Sequence, residues 1–431
     1  MDQAMSFPRY ESYKPAKSPW LQEVPSHWKL LPGFVPLKEN KEKNIGMIEE
    51  TVLSLSYGKI IIKSPEKLTG LVPESFETYQ IINPNDIVIR PTDLQNDYTS
   101  LRTGIARNRG IITSAYICLR PDPSHNPAFM HYLLHAYDLL KVYYGMGSGL
   151  RQNLDYKDFK RLELCIPTRD EQDRIANFLD QKTAEIDEAI AKKQRLIELL
   201  KEQKAILINQ AVTKGLNPDV PMRDSGVEWI GEVPSHWKVK KIKYCTKIFR
   251  GKFTHRPRND PSLYDGAYPF IQTGDVARSG KYLLDYTQTL NEKGLRVSTL
   301  FPQGTVIITI AANIGDISIL GIDACFPDSI VGFKPCSEVE RDYLYYTLSA
   351  MKDQFISSTI KNTQMNLNVD RIGSNFIGLP SKTEQLIIVK EIEFNFSQIE
   401  QAIESLKNNI FALDDYKRIV ISEAVTGKIK I

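Results

Sequence analysis

From Ala176 onward, apolar residues recur in alternating steps of three and four, through Leu179, Ile186, Ile190, Ile197, Leu200 and Leu207 to Ala211. The same rhythm returns 213 residues later at Ile392, Ile399, Ile403, Leu406, Ile410, Leu413 and Val420. A period near 3.5 residues held over about five heptads is the pattern of a coiled-coil seam. It predicts two long helices that pack on each other. Pro167-Thr168-Arg169-Asp170-Glu171-Gln172 opens the first, and Pro380-Ser381-Lys382-Thr383-Glu384-Gln385 opens the second. Each carries a Thr or Ser three residues before Glu, the capping-box spacing in which hydroxyl and carboxylate satisfy the free amides of a helix start.

Between these stretches the period shortens. Ile60-Ile61-Ile62, Ile87-Val88-Ile89, Gly110-Ile111-Ile112 and Val306-Ile307-Ile308 are separated by Gly, Pro, Asn and Asp, so they read as short strands joined by turns. Phe129 to Tyr144 and Tyr343 to Ile356 read as helices. A globular segment of this kind has its ends close together. The second long helix should therefore start where the first stops and run back along it. This gives an α+β chain with two mixed globular domains in pseudo-twofold tandem, separated by an antiparallel helix pair. The expected segments are 1–166, 167–215, 216–379 and 380–431.

The repeat extends beyond the helices. Trp20-Leu21-Gln22-Glu23-Val24-Pro25-Ser26-His27-Trp28-Lys29 is echoed by Trp229-Ile230-Gly231-Glu232-Val233-Pro234-Ser235-His236-Trp237-Lys238, an offset of 209 residues. The chain is a duplication whose frames agree and whose middles have diverged.

Net charge is only +3 over 431 residues. Residues 168–214 carry nine basic and nine acidic side chains, so the helices are neutral and the basic excess lies in the globular parts. Lys238 to Arg258 holds nine basic residues and no acid, with Phe249, Phe253 and His255 interleaved. That combination suits a surface that tracks phosphates and places planar groups near bases; a solvated positive face is the plainer alternative. The candidate DNA contacts here are Lys240, Lys241, Lys243, Arg250, Lys252, His255 and Arg258, joined by Gln272, Asp275 and Asn313. In the first domain they are Lys59, the polar loop residues Arg90, Thr92, Asp93, Gln95 and Asn96, and Arg102 and Arg107 from an acid-free stretch.

Catalytic patterns fail one by one. The glycine run 145–149 follows a helical stretch and opens no helix. Asn126-Pro127-Ala128-Phe129 lacks the second Pro of an adenine methyltransferase motif. His131 and His135 have no Glu between them to serve a zinc site. Five cysteines without Cys-x-x-Cys suggest neither a disulfide framework nor a zinc cluster. Nor does any run approach eighteen apolar residues, and the polar start lacks a signal-peptide core, so the cytosol is the expected compartment. A scaffold without catalytic chemistry or metal is what remains.

The paired order of Glu-Trp-Ile-Gly-Glu-Val-Pro-Ser-His-Trp (Glu228 to Trp237) and Pro-x-x-x-Glu-Gln, each motif occurring twice, resembles the specificity subunits of type I restriction-modification systems over essentially the whole chain. The resemblance implies two target-recognition domains that read a bipartite double-stranded DNA sequence. It also implies two methyltransferase subunits and restriction/translocase subunits as partners, with AdoMet, ATP and Mg held by them and no cofactor on this chain. A coiled-coil adaptor that holds two protein-binding modules apart is the competing reading; it predicts no affinity for duplex DNA.

Overall fold

The structure is a computed structural model that describes residues 7–64, 75–95, 97, 99–146, 153–360 and 367–431. Asn96 and most of the glycine run lie outside the described residues. The chain forms two compact units, one of residues 1–193 with 407–431 and one of residues 194–406. Each unit thus takes half of both long helices, a different division from the four segments drawn along the sequence.

The long helices span Arg169–Lys214 and Lys382–Val425. In the first unit Ile175, Ala176 and Leu179 share a core with Val420, Ile421 and Ala424, and further along Lys417 meets Asp187 at 2.6 Å. Higher numbers on one helix face lower numbers on the other, so the pair is antiparallel. In the second unit Ala211 and Val212 pack with Ile388 and Ile392 while Lys204 meets Glu400 at 2.6 Å, again antiparallel. Leu179, Ile186, Ile392 and Ile399 are buried. Ile190, Ile197, Leu200, Leu207, Ile403, Leu406, Ile410 and Leu413 are half-buried on helices whose other faces are mostly exposed.

In the first unit an antiparallel sheet has the order Leu37–Asn40, Ile117–Pro121, Ile87–Ile89, Thr103–Ile105. The helix Pro127–Leu139 packs against it. The expected helix to Tyr144 stops early because Lys141 turns into the left-handed region at φ 60°, after which Val142–Gly145 forms a 3₁₀ turn. The hairpin Leu53–Ser56/Lys59–Ile62 turns through Tyr57 and Gly58, both at positive φ, as a two-residue hairpin turn requires.

The second unit holds a five-stranded sheet in the order Thr246–Arg250, Ile330–Pro335, Val306–Thr309, Ile317–Leu320, Tyr282–Leu283; only the last joint is parallel. Its expected helix from Tyr343 to Ile356 is two helices, Arg341–Ala350 and Lys352–Ile360, broken at Met351.

The repeated frame motifs meet in space. Glu171 accepts hydrogen bonds from Tyr10 Oη (2.7 Å) and Trp28 Nε1 (3.2 Å) and lies 3.0 Å from His27 Nε2. Glu384 accepts from Trp237 Nε1 (2.9 Å) and lies 3.1 Å from His236. The following glutamines accept a backbone N–H at the start of the domain helix, Asn126 to Gln172 and Glu340 to Gln385. The expected capping box is therefore half made in the second copy alone, and in the first the Glu171 N–H bonds to the Thr168 backbone carbonyl. Ser381 Oγ does accept the Glu384 N–H at 3.2 Å, but both glutamates turn from their own helix start to the Trp-His pair. Trp28 and Trp237 are almost fully buried, and an indole N–H at that depth needs an acceptor.

Candidate nucleic-acid interface

In the first unit the polar loop after strand Ile87–Ile89 is knitted from within. Arg102 is fully buried, and its guanidinium donates to the carbonyls of Thr92 (2.7 Å), Asp97 (2.7 Å), Asp93 (3.2 Å) and Arg90 (3.3 Å), and through Nε to Tyr144 Oη (3.1 Å). A guanidinium committed to five oxygens has nothing left for a phosphate, so Arg102 is removed from the candidate DNA contacts. It holds the loop in shape. Arg90 is half-buried and bonded to Asp97. The Ser100 hydroxyl is the largest of the influences that hold the Asp97 carboxyl well below the usual range. The exposed end of the loop is Gln95, flanked by half-buried Thr92 and Asp93. Lys59 on the hairpin and Arg107 are both exposed and line one cleft of about 350 Å³ with Tyr57.

The basic run of the second unit is divided among several elements. Lys238–Lys241 is a strand paired with Phe376–Leu379, Ile242–Cys245 is one helical turn, and Thr246–Arg250 is an edge strand. Lys240 pairs with Glu338 at 2.7 Å, and the Lys241 and Lys243 ammonium groups rest over the rings of Phe376 and Tyr244. On the edge strand Lys247 lies directly across from Lys334, with Arg250 further along and Lys252 just beyond. Lys247 and Lys252 form no ion pair among the described residues. Like charges side by side on an exposed edge destabilise a free strand and suit a polyanion.

Beyond that strand the chain turns at Gly251, where a Cβ would come within 2.1 Å of the Pro327 carbonyl oxygen; only glycine passes. The loop then places Phe253 against Phe270 (ring centres 4.9 Å apart) and Tyr264 (6.2 Å). These rings border an open cleft of about 560 Å³ whose polar lining includes Arg258, Asn259, Gln272 and Gln288. Gln272 and Gln288 are linked at 3.0 Å, and Arg258 is held by Asp328 at 2.6 Å. His255 is 3.0 Å from Asp260. Asp275 is buried, bonded to Arg278, Thr287 and the Gln272 N–H, so it positions the cleft wall and is corrected from a contact to a support. Asn313 is exposed on the turn between Val306–Thr309 and Ile317–Leu320, outside the cleft lining. Sequence reading missed Asn259, Gln288 and the Tyr264–Phe270 wall, because convergence across 30 residues leaves no local pattern. The weak signal available was amide and aromatic residues flanking the basic run.

A family model described as the type I restriction modification DNA specificity domain matches residues 53–199 and 234–410. A Methanocaldococcus jannaschii chain assigned as the MjaX specificity subunit of a type I restriction enzyme is 22% identical, covering 99% of both chains. The EcoBI specificity subunit of Escherichia coli is 20% identical over 84% of this chain and 76% of its own length. Among solved structures, a chain from a study of complex assembly and conformational transition in the type I R-M system superposes with a TM-score of 0.68 at 14% identity. It covers 93% of this chain and 98% of its own length. The HsdS subunit from Thermoanaerobacter tengcongensis gives 0.55 at 15% identity, over 94% and 98%. With the frame motifs duplicated, the helix pair antiparallel within each unit and both halves matched by one model, the chain belongs to the family of type I restriction-modification specificity subunits, with two DNA specificity domains in tandem.

Proposed function

We propose that each unit reads one half of a bipartite duplex sequence and that the chain has no catalytic step of its own. The observation that carries this reading is the second unit's arrangement of an acid-poor edge strand leading into a cleft with an aromatic border and amide edges. The strand supplies phosphate contacts through Lys247, Arg250 and Lys252. The cleft presents Gln272, Gln288, Asn259 and Arg258, whose donors and acceptors match base edges in a groove. In the first unit Gln95, Lys59 and Arg107 take the corresponding parts. A protein-binding adaptor has no use for Lys247 and Lys334 side by side on neighbouring strands at the edge of the sheet.

Methyl transfer and strand cleavage fall to partner subunits that hold AdoMet, ATP and Mg. Leu386, Ile387 and Phe394 on the second long helix are 51%, 57% and 61% exposed. Large apolar side chains left exposed on this helix suit docking of a methyltransferase subunit. Among the described residues no helix is long and apolar enough to cross a membrane, in keeping with a nucleic-acid partner.

The test is duplex binding with two classes of variant. Lys247→Ala with Lys252→Ala should weaken all duplexes alike and flatten the salt dependence by about one unit per lost phosphate contact. Gln272→Ala should cost about 1–3 kcal/mol at one half-site only. Equal losses on every sequence from both classes would refute the division of labour. No salt-dependent duplex binding by the wild type would leave the adaptor reading in its place.

A further inference from the structure

The hairpin Leu53–Ser56/Lys59–Ile62 of the first unit carries at its tip a side chain that neither the turn nor the core calls for. Both turn residues have positive φ, 48° at Tyr57 and 74° at Gly58. Two-residue turns of this kind take Asn-Gly or Asp-Gly by preference, because a bulky side chain is a steric outlier in the left-handed region. Tyr57 stands where Asn is expected. Its side chain is 91% exposed, and among the described residues its hydroxyl makes no hydrogen bond and its ring meets no other ring or cation. The base beneath it is firm. The strands pair from Leu53 with Ile62 to Ser56 with Lys59, and Leu53 and Ile60 pack into a core with Ile82, Val88 and Ile112. A large aromatic ring left in solvent at a strained position of a well-anchored hairpin points to a contact outside the chain.

The surroundings indicate the kind of partner. Tyr57 belongs to the wall of the cleft of about 350 Å³ that holds exposed Lys59 and Arg107, and to that of a second hollow, of about 820 Å³, that holds exposed Arg418. The two acids of the first wall are engaged within the fold, Asp187 with Lys417 at 2.6 Å and Asp180 as acceptor of the Tyr132 hydroxyl at 2.8 Å. The second wall keeps one exposed acid, Asp414. Leu101, 37% exposed and common to both walls, adds apolar surface. Cations take phosphates, and an anchored planar ring among them takes the face of a base.

We propose that Tyr57 inserts its ring at a base step of the duplex bound by the first unit and stacks on the base it uncovers, while Lys59 and Arg107 hold the neighbouring phosphates. This rests on the DNA-reading function proposed above and adds a second mode of recognition to it. A ring that must open a step favours the steps that unstack most readily, pyrimidine followed by purine, so Tyr57 selects sequence through the deformability of the duplex and not through base edges.

The test uses the full chain as wild type, Tyr57→Asn and Tyr57→Phe. The duplexes carry the target found by methylome sequencing, with 2-aminopurine placed singly at each position of the first half-site; its fluorescence rises where stacking is broken. Wild type and Tyr57→Phe should bind alike and brighten a position at a pyrimidine–purine step. Tyr57→Asn should bind roughly tenfold or more weakly and lose the brightening, with an unchanged salt slope because no charge is removed. Its melting temperature should equal or exceed that of wild type, since Asn suits the turn. Weaker binding by a chain that is no less stable separates a DNA contact from a structural role. Salt-dependent binding by wild type with no brightened position, or Tyr57→Asn matching wild type in affinity and brightening, overturns the insertion and leaves the DNA-reading function in place. A Tyr57→Asn chain that melts below wild type assigns the ring to the fold and overturns it too. Wild type that binds no duplex overturns both.

Discussion

Glu171 shows how a single carboxylate ties the first turn of a long helix to residues far away in the chain. Burial pushes its carboxyl up, but hydrogen bonds from Tyr10, His27 and Trp28 outweigh burial and hold it below the ordinary value. A depressed carboxylate contributes stability that is present above its unfolded value and lost as pH falls through the folded one. Glu171→Ala should cost about 1–3 kcal/mol in urea denaturation at pH 7, since Trp28 Nε1 and Tyr10 Oη lose their acceptor, while Glu171→Gln should cost less. His131 behaves in the opposite chemical sense with the same pH sign. Burial, followed by the neighbouring His135, lowers its pKa to about 3, and its Nε2 has no hydrogen-bond partner. The folded state therefore disfavours the protonated ring, and stability falls as pH drops from about 6.5 toward 3. His131→Phe should leave stability at pH 7 intact or raised and shrink the loss measured between pH 7 and pH 4. An unchanged pH dependence would show that this ring is not the source.

At the scale of elements, the long helices are amphipathic with a graded seam. Ile399 is 7% exposed, whereas Ile403 one turn on is half-buried. Ile399→Ala should therefore cost about 2–4 kcal/mol, and Ile403→Ala clearly less, by chemical denaturation of the full chain. Equal costs would mean that the seam is packed evenly along its length. Arg102 makes the complementary point for a loop. Four of its five hydrogen bonds hold the carbonyls of Arg90, Thr92, Asp93 and Asp97 around one guanidinium, so Arg102→Ala should lower the melting temperature and open the loop to proteolysis. The nearby exposed Gln95→Ala should change DNA selectivity without either effect. Basic composition drew attention to this stretch. Burial alone separates the arginine that builds the loop from the side chains that can reach out of it.

At the scale of the whole molecule, both long helices run from one compact unit into the other. Their length is thereby a candidate ruler for the gap between half-sites. Lys417 faces Asp187, so one heptad inserted after Asp187 and another before Lys417 lengthens both helices at the same level and keeps the seam in phase. Seven residues add about 10 Å, or about three base pairs at ~3.4 Å each. Methylome sequencing of cells carrying wild-type or lengthened protein should show the same half-sites with a longer gap. An active variant with an unchanged gap would show that the helices do not set the distance.

Much of this architecture was legible in the sequence because it rests on periodicity and repetition. The 3.5-residue seam fixed two long helices. The echo of Pro-Ser-His-Trp and Pro-x-x-x-Glu-Gln fixed a duplication, and the short apolar runs fixed strand-rich domains between. These are local signals, repeated often enough to outweigh chance. What the sequence could not settle was the partner of each polar side chain. Glu171 and Glu384 have capping-box spacing, yet a buried indole N–H is the more demanding donor and draws them away from the helix start. Arg102, Asp275 and Lys240 read as basic or polar surface, but one is buried beneath a loop, one braces a cleft wall and one is paired with Glu338. The cleft that joins Gln272 to Gln288 and the hollows beside Tyr57 are assembled from residues far apart in the chain. Burial and hydrogen-bond satisfaction are properties of three-dimensional neighbourhoods, so tertiary structure alone decided which candidate residues face a ligand and which hold the fold.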